Sequence, residues 1–173
     1  MRRRFGFASL APVIVTLGAG VAMLAGCGSD GQQVDAIVPD FSVCLDTPAI
    51  PYEPGIFVTS RLGGYRVTLV SAVKDGPPMV DSPQIGKNNT WVVSVTDATG
   101  GIPAEVTLTA ERPWMPRHNH GAFDYPVVTP GETGMFTISK IDFIMAGYWQ
   151  LKLNLVPASG DPDDATFSIC VPQ

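Results

Sequence analysis

"YWQLKLNLV", residues 148–156, decides the fold. Trp149, Leu151, Leu153 and Leu155 alternate with Tyr148, Gln150, Lys152 and Asn154. Successive side chains of an extended chain point to opposite faces, so this period of two predicts a strand with one face on a core and the other in water. Val106, Leu108 and Ala110 alternate in the same way with Thr107 and Thr109. Other short runs are rich in Val, Thr, Ile and aromatics, as strands are: "YRVTLVSAV" (65–73), "TWVVSVTD" (90–97), "AEVTLTAE" (104–111), "GMFTISKI" (134–141) and "TFSICV" (166–171). Gly, Pro, Asn and Asp separate them, as turns require. No stretch keeps a helical period, and sixteen prolines oppose long helices. The expectation is an all-β chain, an immunoglobulin-like antiparallel β-sandwich over residues 41–173, with a small barrel as the alternative. There is no internal repeat and no second domain, and "PASGDPDDA" (157–165) reads as a charged surface loop before the last strand.

The first 26 residues have a different character. Arg2, Arg3 and Arg4 precede the apolar stretch "FGFASLAPVIVTLGAGVAML", which closes on Leu24-Ala25-Gly26-Cys27. A basic start, an apolar middle and small residues before a cysteine form an export signal, and the ending resembles that of bacterial lipoproteins. There the cysteine carries a diacylglycerol and becomes the new N-terminus. Residues 1–26 are thus expected to be a signal peptide, with Cys27 lipidated and 27–40 a short flexible tether. An uncleaved membrane anchor is the competing reading, since the apolar run is about long enough to span a bilayer. Gly28 lacks the acidic character associated with inner-membrane retention, which favours the periplasmic face of the outer membrane.

Removing 26 of 173 residues leaves 147, enough for one domain with a core. Three of the eleven Lys and Arg lie in the signal and none of the sixteen Asp and Glu, so the remainder carries eight against sixteen, a formal −8. An acidic chain without a basic patch argues against nucleic acid as a partner. The membrane, reached through the lipid, and another envelope protein are the expected partners. Of three cysteines, Cys44 and Cys170 remain once Cys27 is lipidated. In an oxidising compartment they are expected to pair, with free thiols or metal ligation as alternatives.

"WMPRHNHG", residues 114–121, holds both histidines. Pro113 and Pro116 lack amide hydrogens, which places the stretch at an edge or in a loop at one end of the sandwich. With an extended backbone, His118 and His120 project to one side and can chelate one ion. Imidazole suits copper, zinc or nickel, and thioether sulfur favours Cu(I), so His with Met points to copper. The candidate ligands are His118, His120, Met115 and Met145. Met135 is a further methionine within reach of the pattern. Parity puts Met115 opposite the histidines unless the chain turns at Pro116, and gives Met145 the core face of Trp149. The alternative is a polar turn with core methionines.

Three segments, in order, resemble the YtkA-like and FixH-like domain family: "GKNNTWVVSVTDATG" (86–100), "WMPRHNHG" with its Met-Pro-x-His-x-His-Gly form, and "FIMAGYWQLKLNL" (143–155). The resemblance spans roughly residues 60–157. It implies an immunoglobulin-like domain outside the cytoplasm, with copper handling through the Met-Pro-His loop. Asn119 departs from the small residue common between the histidines. No G-x-S-x-G, H-E-x-x-H or phosphate loop is present, so no enzyme is expected. The functional expectation is a lipid-anchored module that binds copper or passes it to a receiving protein. The rival is a metal-free structural or protein-interaction module of the envelope.

Overall fold

In a computed structural model, residues 39–76 and 79–173 are described. The expected signal peptide, the expected lipidation position Cys27 and most of the expected tether lie outside them. The chain forms a 3-10 turn (Ser42–Cys44) and then β1 (Phe57–Thr59), β2 (Tyr65–Lys74), β3 (Gly86–Asp97), β4 (Val106–Ala110), β5 (Trp114–Met115), β6 (His120–Gly121), β7 (Val127–Pro130), β8 (Met135–Phe143), β9 (Gly147–Pro157) and β10 (Asp163–Val171).

Two antiparallel sheets pack face to face. One has the order β1-β2-β3-β8-β7, and the other β10-β9-β5-β6. β4 also lies on β9, from Val106 opposite Pro157 to Ala110 opposite Leu153, and β5 follows further along with Trp114 opposite Gln150. The amide of Glu111 still bonds the Lys152 carbonyl at 2.9 Å, so β4 and β5 are one strand interrupted at Arg112-Pro113. Counted so, β2-β3-β8-β7 faces β10-β9-β4/β5, the constant-type immunoglobulin order of four strands against three. β1 adds an edge to β2.

The alternation in β9 is realised: Trp149, Leu151, Leu153 and Leu155 are buried, and Gln150, Lys152 and Asn154 partly exposed. Tyr148 departs from the expected water-facing position. It is buried, and its hydroxyl takes a hydrogen bond from Gln150 at 2.6 Å and lies 3.3 Å from the Ser168 hydroxyl, so the outer face has its own polar cover there. Asp163 to Ala165, expected in a loop, instead begin β10. Burial pushes the Asp163 carboxyl up, but the Ser60 hydroxyl and the amides of Leu62 and Asp164 outweigh this and hold it below the usual range. That carboxylate ties the turn before β2 to the start of β10.

Between the sheets lies an aromatic cluster. Trp91 of β3 meets Phe167 of β10 edge-on, with centroids 5.8 Å apart, and Phe143 of β8 meets Trp149 of β9 at 5.6 Å. Such pairs add roughly 0.5–1.5 kcal/mol each beyond the area they bury. Cys44 and Cys170 form a disulfide, with Cα atoms 5.9 Å apart and a sequence separation of 126. It fixes the 3-10 turn to the end of β10. Closing so long a loop removes unfolded-state entropy worth about 4–5 kcal/mol. A Cys44→Ala/Cys170→Ala variant should therefore lose stability of that order, read as a lower midpoint in guanidinium unfolding with β-structure retained in water.

Candidate metal centre

The Met-Pro-His stretch folds as a hairpin. Trp114 pairs with Gly121 and Met115 with His120, so β5 lies between β9 and β6, and β6 is the edge. The prolines fall outside the short ladder, which is why two residues of strand fit between them. Pro116 has the fixed φ that the second position of a type I turn needs. The turn is closed by the His118 amide donating to the Met115 carbonyl at 3.1 Å. Asn119 then takes φ 54°, a left-handed conformation that Asn tolerates better than most residues. At Gly121 an added Cβ would stand 2.9 Å from the Pro113 carbonyl and 3.2 Å from the Trp114 ring, so this position admits no side chain.

The extended His-Asn-His expected from sequence is thus replaced by a turn. His118 belongs to the loop and is exposed, while His120 is on the strand and half-buried. Their rings nevertheless approach to 5.7 Å between centroids, tilted by 51°. With metal–nitrogen bonds of about 2 Å, two imidazole centroids around one ion stand roughly 5–6 Å apart. The turn also changes the place of Met115. As the direct ladder partner of His120, it shares that residue's face and points inward, 2% exposed.

Met115, His118 and Met145 line one cavity of about 480 Å³, together with Val43, Arg117 and Tyr148. Met145, expected on the core face, is instead 38% exposed at the rim. Its carbonyl is held by the Trp149 indole N–H at 2.9 Å, which draws the 144–146 connection down onto β9. Gly147, at φ 133°, backs the cavity, where an added Cβ would come 2.5 Å from the Met115 methyl. On the far wall, Arg117 donates to the Leu45 carbonyl at 3.3 Å, joining the hairpin to the disulfide-bonded turn.

His120 is not part of this lining; its ring lies next to that of His118, which is. Its ring meets Trp149 edge-on at 6.2 Å, and its Nδ1 is buried without a hydrogen-bond partner. A buried polar atom left unpaired is costly, and a ligand would relieve it. Among the described residues, no three His, Cys, Asp or Glu side chains gather. Met115 and Met145 in the cavity lining offer thioether sulfur as further ligands, which suits a soft ion. Met135 does not join them: it starts β8, a strand's length of about 25 Å from Phe143 and the 144–146 connection.

Val43 and Gly147 were not singled out from sequence. Val43 lies 71 positions before Trp114, and its only signal is the neighbouring Cys44. Gly147 stands in the quoted "MAGYW", where its spacing to Trp149 is visible but its contact with Met115 is not. No protein-family model, curated protein or solved structure matches the chain.

Gly147→Ala should cost about 2 kcal/mol or more, combining backbone strain with the clash. Adding Met115→Ala should recover the steric part, so that the two changes are non-additive in a thermal-unfolding cycle.

Proposed function

We propose that this is an exported, lipid-anchored envelope protein that binds copper at the Met-Pro-His hairpin and passes it to a receiving protein. The observation that carries the reading is the approach of His118, Met115 and Met145, from two separate segments, to one cavity, with the ring of His120, its Nδ1 unpaired, next to that of His118. His118 and His120 would supply nitrogen, and Met115 and Met145 sulfur. Copper bound there would supply a soft ion for transfer. The thioethers favour Cu(I), and an exposed turn that carries one of the histidines favours exchange over permanent storage. The motif resemblance and the expected oxidising compartment point the same way. Cys27 and residues 28–40 would hold the domain at the membrane face.

A second reading, a metal-free interaction module, draws on exposed aromatics next to the hairpin: Trp114, Phe123 and Tyr125 are 40%, 76% and 65% exposed. Large exposed aromatics are characteristic of contact surfaces. Copper delivery would also use such a surface, so the two readings separate on metal binding alone.

Titration of the purified protein with Cu(I) and Cu(II) should give one-to-one binding, weakened about 100-fold or more in His118→Ala/His120→Ala. Met115→Leu/Met145→Leu should weaken Cu(I) far more than Cu(II). Binding indifferent to the histidines would leave the interaction reading.

A further inference from the structure

Away from the hairpin, β3 and β8 are irregular where they face each other. Their register slips between Gly86 and Asn89 and again between Asn89 and Trp91. Asn88 and Lys140 both take left-handed backbone, at φ 69° and 58°. For lysine that conformation is uncommon, and such strain of roughly 1–3 kcal/mol gathers at functional positions. The distortion is built in. Asn89 is fully buried, and its amide donates to the carbonyls of Gln84, Gly86 and Ile141 while its oxygen accepts from the Gln84 amide. Bulges re-aim side chains, and these turn several charged groups toward one place.

That place is a cavity of about 390 Å³ lined by Lys87, Asn88, Asp124, Tyr125, Lys140 and Asp142. It shares no residue with the cavity at the hairpin. Lys87 pairs with Asp124 at 2.9 Å, which holds the segment after β6 over the sheet. Asp142 is 3% exposed, yet among the described residues its carboxylate has neither a hydrogen bond nor an ion pair. Burial pushes its carboxyl above the usual range, with Lys87 opposing and Asp124 adding to the shift. The Lys140 ammonium, on the same lining, has no ion pair among the described residues either. One carboxylate without a hydrogen bond, with Lys87 near it, and one exposed lysine without an ion pair therefore line a single cavity. Removing a carboxylate from most of its water opposes its charge, and a cationic group entering the cavity would offset that.

We propose that this cavity binds a small zwitterion of the amino-acid class, its ammonium on Asp142 and its carboxylate at Lys140. The lining has two lysines and two aspartates, so it suits a ligand that is neutral overall and carries both charges. A divalent cation would meet both lysines, and a simple anion would meet both aspartates. The volume lies within the range of small-molecule sites, and the Tyr125 ring and Val127 give an apolar wall for a short side chain. The site is independent of copper binding.

The unliganded protein carries a signature of this role. Asp142 has a folded pKa raised above its unfolded value, so its ionised form opposes folding. Stability is lost as pH rises from the ordinary aspartate range, about pH 4, through the folded value. Asp142→Asn should accordingly be more stable than the parent protein at pH 7 and no more stable below about pH 4.

The test is equilibrium dialysis of the full chain against radiolabelled L-alanine, with ethylamine, acetate and calcium chloride as competitors. Saturable one-site binding is expected, with ethylamine and acetate weaker competitors than unlabelled alanine by about tenfold or more. Asp142→Asn and Lys140→Met should each weaken alanine binding by a similar factor. Absence of saturable binding, displacement by calcium, or unchanged binding in either variant would overturn the proposal. So would an Asp142→Asn variant less stable than the parent at pH 7, since the carboxylate would then be a structural element.

Discussion

The contacts of one indole organise the end of the sandwich where the hairpin sits. Trp149 points inward from β9 and is 1% exposed. Its ring packs on Phe143 of the opposite sheet and against the edge of His120, and its N–H bonds the Met145 carbonyl. The same side chain therefore closes the core, supports a candidate ligand and fixes the loop that carries another. That hydrogen bond gives the buried indole N–H a partner and holds the connection after β8 onto β9.

Much of this arrangement is written in local chemistry. The alternation of β9 requires one apolar face, and Trp149 falls on it by parity. The disulfide is suggested by two cysteines in the first and last segments of the domain, and the structure pairs them. The prolines around Trp114 and Met115 limit the ladder there to two residues. Less visible was the continuity of β4 and β5 across Arg112-Pro113, because a proline inside a run reads as an end. β1 and β7 are also too short, at three and four residues, to show any period.

The candidate residues were legible in the sequence, and the shape they take was not. Parity assumes extended backbone, and one left-handed residue, Asn119, is enough to defeat it. That single φ, with the turn at Pro116, moved Met115 to the histidine face and left His118 in solvent. Met145 escaped its expected core position because the indole holds its carbonyl and not its side chain. The cavity at Asp142 had no sequence signal at all, since neither Asn88 nor Lys140 announces a left-handed conformation and the bulges depend on pairing between strands distant in sequence. Local patterns specify faces and ends of strands. Convergence of side chains from separate segments is a property of the packed sheets.

The central claim is that nitrogen from the hairpin and sulfur from Met115 and Met145 can serve one copper ion. X-ray absorption at the copper edge of the Cu(I)-loaded protein tests this directly. Nitrogen scatterers at about 2.0 Å are expected together with a sulfur shell at about 2.3 Å, the sulfur shell disappearing in the Met115→Leu/Met145→Leu variant. A first shell of nitrogen and oxygen alone, identical in parent and variant, would contradict it.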